Sequence, residues 1–143
     1  MALAFGGMSL MGFGLYFILL RPPLLPEDTR FMGTSLVTIQ ASVPGLATWL
    51  THVFWVLGGF MFTTGLLTGH LALSSFRQRA RGSATVAALA GLTSIGWMSA
   101  VNFLIASDFK WVILAFTFPW ALALMLYRVE GNYLRPAGLR GSL

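Results

Sequence analysis

Four long apolar segments, separated by short polar connections, constrain this chain more than any other feature. They span about residues 3–20, 46–76, 83–106 and 111–127. Charged residues make up only 9% of the chain, whereas a soluble domain carries about 25%. Nine basic and four acidic side chains cannot cover a soluble surface, so the apolar excess must face lipid. The sequence predicts an all-α integral membrane protein, an antiparallel up-down four-helix bundle in contact with the lipid bilayer.

The connection between the first two apolar segments, residues 21–45, is the longest. Arg-Pro-Pro at 21–23 ends the first span, because proline removes amide donors and forces the preceding residue out of the helical region. Pro-Glu-Asp at 26–28 is typical of a helix start. A second short apolar segment follows Gly33. We expect a short amphipathic helical cap lying on the membrane surface.

Basic residues are distributed unevenly between the connections. One side of the membrane would receive six, namely Arg77, Arg79, Arg81, Arg128, Arg135 and Arg140; the other would receive Arg21, Arg30 and Lys110. The positive-inside rule then predicts that the 77–82 loop and a tail at 129–143 are cytoplasmic, after a single membrane domain at 1–128. With four spans the N-terminus is cytoplasmic too, and the cap faces outward.

Small residues recur along the second and third spans, at Gly58, Gly65, Gly69, Ala84, Ala88 and Gly91. Lipid provides no hydrophobic force between helices, so association depends on close backbone approach at such residues. We predict that these faces pack the second and third spans against each other. The alternative is an interface between copies of the chain.

The two histidines, His52 and His70, both lie on the second span. On a helix they share a face, about 27 Å apart along the axis. Neutral imidazole is a common metal ligand, so each could be the single axial ligand of a haem or chlorin. The alternative is that each forms hydrogen bonds at the membrane interface. No third histidine exists to complete a bis-histidine haem site.

The acidic residues all fall outside the apolar spans, at Glu27, Asp28, Asp108 and Glu130. Because intramembrane ionisable groups mark proton and ion pathways, their absence argues against a proton-coupled transporter. Glu27, Asp28 and Arg30 form a predicted polar cluster on the outer face. Adjacent carboxylates point about 100° apart on a helix, so we expect exposed capping groups, with a bridge to Arg30 or Arg21, rather than an acid–base pair.

Enzymatic chemistry finds little support in the sequence. There is no cysteine, and no GxSxG, HExxH, P-loop or dinucleotide motif occurs. If a catalytic site existed, we would expect it at the outer polar cluster with nearby His52.

The basic residues are thinly spread along the chain, which argues against nucleic-acid binding. In the fourth span, Pro119 predicts a kink.

The segments LLPEDTRFMG at 24–33 and PGLATWLTHVFWVLGGFMFTTGLLT at 44–68 resemble those of small bacterial four-helix membrane proteins of the DoxX-like kind. The resemblance is one of topology over about residues 1–127. It implies a bacterial inner-membrane location and carries over no functional residue.

Three functions are compatible with these features. The first is a non-enzymatic accessory or structural subunit that packs against other membrane proteins or against itself. The second is a haem- or chlorin-binding subunit of a redox or photosynthetic complex using His52, His70 or both. The third is an oligomeric transporter or channel for a small neutral solute. Native gel electrophoresis, an absorption spectrum and solute flux would test them in turn.

Overall fold

The computed structural model describes residues 1–133, and it is helical throughout apart from short connections. The helices are α1 (Ala2–Leu19), α2 (Pro26–Phe31), α3 (Leu36–Ser42), α4 (Leu46–Leu73), α5 (Ser83–Gly91), a π-helical turn (Leu92–Gly96), α6 (Trp97–Leu104), α7 (Lys110–Ala115) and α8 (Phe118–Tyr133). Four helical stretches are long and apolar enough to cross a membrane: Ala2–Leu19, Leu46–Leu73, Ser83–Leu104 and Lys110–Gly131. The prediction of an all-helical chain with four apolar spans is confirmed for the described residues.

The connection after α1 contains two short helices, each with a recognisable start. At α2 the Asp28 carboxylate accepts a hydrogen bond from the Leu25 amide at 2.8 Å, which satisfies one of the free amides of the first turn. At α3 the Ser35 hydroxyl accepts from the Thr38 amide at 3.1 Å. Side-chain capping therefore defines both helices, which are too short to be stable by themselves.

Glycines bring α1 and α4 into direct backbone contact. A Cβ atom on Gly7 would lie 2.8 Å from the carbonyl oxygen of Gly65 and 2.8 Å from the amide nitrogen of Gly69. One on Gly14 would lie 2.6 Å from the carbonyl oxygen of Gly58. Residue numbers rise on α1 as they fall on α4, so the two helices run in opposite directions along this contact.

The predicted partner of the second-span glycines is therefore wrong. Gly58 and Gly65 face α1 rather than the third span, because α1 carries its own matching glycines at 7 and 14, whereas a Cβ on Gly69 would meet no atom within 4 Å. Two glycine faces approach more closely than a glycine face and an alanine face, since neither has a Cβ atom.

The small residues of the third span pack on a tryptophan of the fourth. The Trp120 indole donates from Nε1 to the carbonyl oxygen of Ala87 at 2.9 Å. A Cβ on Gly91 would lie 2.5 Å from the same ring, and one on Gly6 of α1 would lie 2.7 Å from its other edge. Trp120 thus joins three spans. The buried face runs through Ala87 and Gly91, whereas the predicted Ala84 and Ala88 are only half-buried.

The fourth span is interrupted between α7 and α8. Pro119 has no amide proton to donate to the Ala115 carbonyl, and its ring would crowd that carbonyl. The backbone tightens instead, with Thr117 donating to the Leu114 carbonyl at 3.0 Å. Beyond the break α8 continues to Tyr133, past the predicted end of the span at 127. The rest of the predicted tail, residues 134–143, lies outside the described residues.

Candidate functional site

A cavity of about 570 Å³ lies between α1, the third span and the fourth span, with α2 across one end. Its walls are apolar for most of their length and include Phe13 of α1, Met98 of α6, and Val112, Ile113 and Phe116 of the fourth span. The face of α1 that lines the cavity is distinct from the glycine face that packs on α4.

Gly12 forms part of the α1 wall of this cavity. A Cβ atom added there would meet no atom within 4 Å, in contrast with Gly7 and Gly14 on the packed face of the same helix. Phe109 and Val112, which line the opposite wall, are 50% and 54% exposed. The cavity is therefore open sideways, where a membrane protein would meet lipid.

The capped end of the cavity is polar, and its central group is Glu27. This side chain is only 4% exposed, and the Ser107 hydroxyl donates to its Oε1 atom at 3.2 Å. Ser107 itself is 2% exposed and accepts a hydrogen bond from the Phe109 amide at 3.1 Å. The expectation of an exposed capping carboxylate is wrong for Glu27, because α2 turns it inward onto the connection after the third span.

Arg21 and Asp28 lie beside Glu27 at the same end. The guanidinium pairs with the Asp28 carboxylate at 3.5 Å, donates to the Pro22 carbonyl at 3.0 Å, and stacks 3.5 Å above the centre of the Phe54 ring. Burial lowers the pKa of Arg21, and the Asp28 carboxylate opposes that shift. The group remains charged at neutral pH because an arginine pKa starts so far above it.

Arg30, predicted to belong to the same cluster, instead contacts the connection after the third span. It donates to the Asp108 carboxylate at 2.9 Å and to the Ala106 carbonyl at 3.2 Å. Ala106 has φ of +52°, a left-handed conformation that turns the chain sharply after the third span and is uncommon for a residue other than glycine. The Arg30 contacts and the Glu27–Ser107 hydrogen bond together hold α2 across the end of the cavity.

The two histidines lie away from this site. His52 is exposed on α4, with Nδ1 2.7 Å from the Thr48 carbonyl oxygen and its ring edge-on to Trp55. His70 is also exposed, and neither residue lines the cavity. His52 therefore does not join Glu27 and Asp28. Over residues 1–133 no group of three or more His, Asp or Glu side chains is placed to hold a metal ion.

A smaller cavity of about 220 Å³ lies at the other end of the molecule, near Met1, Phe76 and Arg79. Two arginines line it, Arg77 and Arg79, and the second is engaged within the fold. Arg79 donates to the Tyr127 carbonyl at 2.9 Å and to the Glu130 carboxylate at 2.8 Å. The Arg79 contacts tie the second connection to α8.

Some residues of the main site escaped sequence reasoning. Ser107 carries no motif, and Gly12 looks like the other glycines of α1 until its position is compared with theirs. Gly7 and Gly14 repeat at a helical spacing, and Gly12 falls off that spacing. Such a departure was the available signal that Gly12 faces elsewhere.

In comparisons with known proteins, the chain matches no protein-family model, no curated protein sequence and no solved structure.

Proposed function

We propose that the four apolar helices form an antiparallel bundle in a bacterial inner membrane, with both termini in the cytoplasm and α2 and α3 on the outer face. The opposite directions of α1 and α4 along their glycine contact support this arrangement. The excess of arginine in the 77–82 connection supports the orientation. The resemblance to DoxX-like proteins supports the location.

Single-cysteine variants test the orientation without interference, because the chain contains no cysteine. Gln40 on α3 and Gln78 in the second connection are both exposed. A membrane-impermeant maleimide is expected to label Gln40→Cys in intact spheroplasts, and Gln78→Cys only after permeabilisation. The reverse pattern would show that the orientation is inverted.

We further propose that the protein binds one amphipathic small molecule, which enters the main cavity sideways from the bilayer. The observation that carries this proposal is a cavity of about 570 Å³ with apolar walls and a polar end. Ligand-binding pockets typically measure about 300–1,000 Å³ and combine apolar walls with a few polar groups. An amphipathic molecule fits these two environments when its apolar chain lies along Phe13 and Phe116 and its head group lies near Glu27.

Filling the cavity at Gly12 is the direct test. The protein, in proteoliposomes, is photolabelled with two long-chain alkyl diazirines of equal length, one with an amine and one with a hydroxyl head group. Labelled positions are mapped by mass spectrometry of peptides. Gly12→Phe is expected to reduce labelling of residues 98–116 by about tenfold, which corresponds to about 1.4 kcal/mol of lost binding free energy.

Gly59→Phe is the matched control. Gly59 lies on α4, and a Cβ there also meets no atom within 4 Å, but it does not line the cavity. We expect residues 98–116 of this variant to be photolabelled to the same extent as in the wild type. Labelling of residues 98–116 that is the same in Gly12→Phe and Gly59→Phe would refute the binding function.

The other functions inferred from the sequence stay predictions. No contact within residues 1–133 favours an accessory subunit or oligomer, a solute channel, or a haem or chlorin subunit over the binding function. His52 and His70 lie exposed on α4 and outside the cavity, so a pigment on either would have to sit against the lipid-facing side of that helix.

A further inference from the structure

The Glu27 carboxylate has an unfilled capacity for a hydrogen bond inside the cavity. Among the described residues it accepts one hydrogen bond, from Ser107 at Oε1. Glu27 forms no ion pair within 4.0 Å among these residues. Burying a carboxylate is costly unless it is paired and hydrogen-bonded. No fully buried side-chain oxygen or nitrogen among the described residues lacks a partner, so Oε2 keeps some exposure. Because Glu27 lines the cavity, Oε2 is available to a donor that arrives there.

The neighbouring cation does not fill this role. Arg21 is held by the Asp28 carboxylate, the Pro22 carbonyl and the Phe54 ring, and it makes no ion pair with Glu27. The charged side chains lining the cavity are one cation, Arg21, and two carboxylates, Glu27 and Asp28, which leaves an excess of one negative charge. An anionic head group would meet this excess of negative charge, and a cationic one would neutralise it.

On the basis of the proposed binding function, we infer that the cavity selects amphiphiles with a positively charged, hydrogen-bond-donating head group, an alkylammonium held on Glu27. The ammonium donates to Oε2 and forms the ion pair that Glu27 lacks. Ser107 holds the carboxylate in place through Oε1. The alkyl chain extends from the capped end along the apolar walls, past Gly12.

Three alkyl diazirines with the same chain and different head groups test this selectivity. The heads are a primary amine, a hydroxyl and a carboxylate, and each probe is used at the same concentration in proteoliposomes of neutral lipid at pH 7. Labelling of residues 98–116 that is lost in Gly12→Phe counts as cavity labelling. The amine probe is expected to exceed the carboxylate probe by at least about tenfold and the hydroxyl probe by about threefold.

Glu27→Gln removes the charge and keeps the shape of the side chain. We expect cavity labelling by the amine to fall to the level of the hydroxyl probe measured on the same variant. Glu130→Gln is the control, since Glu130 pairs with Arg79 outside the cavity; it should keep the wild-type preference for the amine. Competition on the wild type by unlabelled dodecylamine, dodecanol and dodecanoate gives the same ranking without a substitution.

The outcomes separate the two proposals. Equal cavity labelling by all three probes, or stronger labelling by the carboxylate, would overturn the head-group selectivity and leave the binding function intact. Retention of the amine preference in Glu27→Gln would also overturn the role of Glu27. If no probe gives labelling that depends on Gly12, the binding function itself fails.

Discussion

Gly14→Leu is expected to destabilise the protein by at least about 3 kcal/mol, more than any other glycine substitution in α1. A Cβ atom at this position would lie 2.6 Å from the Gly58 carbonyl oxygen and 2.6 Å from the Phe62 amide nitrogen. Both are backbone atoms of α4, so no side-chain rotation can make room. The helices must separate, and separation removes the close packing on which association in lipid depends.

Gly12→Leu is the matched control, because it is the same substitution on the same helix. A Cβ at Gly12 meets no atom within 4 Å, and replacing an unrestrained helical glycine stabilises a helix by roughly 0.5–1 kcal/mol. Unfolding of both variants in mild detergent, followed by circular dichroism during titration with SDS, gives the comparison. A Gly14→Leu protein that unfolds at the wild-type SDS concentration would show that α1 and α4 do not pack through these glycines.

The contrast between these glycines shows what the sequence could and could not predict. Span length and hydropathy depend only on neighbouring residues, so the four apolar helices could be predicted closely. The choice of packing partner is not local. Gly58 and Gly65 predict a close approach to some helix, but both α1 and the third span offer small residues. Only the matching spacing of Gly7 and Gly14 favours α1.

The polar end of the cavity depends on a contact across a large sequence separation. Glu27 and Ser107 are 80 residues apart, and neither belongs to a motif. Carboxylates at a helix start are usually exposed, so local reasoning predicts exposure for Glu27. The turn at Ala106 and the Arg30–Asp108 pair place the connection after the third span over α2, and these are consequences of the fold.

The histidines illustrate a different limit of prediction from sequence, the direction in which a helix face points. His52 and His70 could be placed on one helix face from their spacing alone. Which way that face points could not be inferred, because α4 is apolar on all sides and has no polar face to mark the outside. The glycine contact with α1 decides the rotation of α4, and it leaves both imidazoles exposed.

Trp120→Ala is the second substitution with a large expected effect. The indole is 4% exposed and lies between Gly6 of α1 and Gly91 of the third span. Truncating a buried tryptophan destabilises soluble proteins by about 3–5 kcal/mol. In lipid the transfer contribution is smaller, so the loss of packing contacts dominates. We expect at least about 2 kcal/mol, measured by the same SDS titration.

Two further variants separate packing from hydrogen bonding. Trp111→Ala removes an indole that is 65% exposed and should change stability by less than about 0.5 kcal/mol. Trp120→Phe keeps an aromatic ring but removes the donor to the Ala87 carbonyl, and should lose about 1–2 kcal/mol. If Trp120→Ala were no less stable than Trp111→Ala, Trp120 would not join the three spans. If Trp120→Phe matched the wild type, the Nε1 hydrogen bond would contribute nothing, because the Ala87 carbonyl would already be satisfied by its own helix.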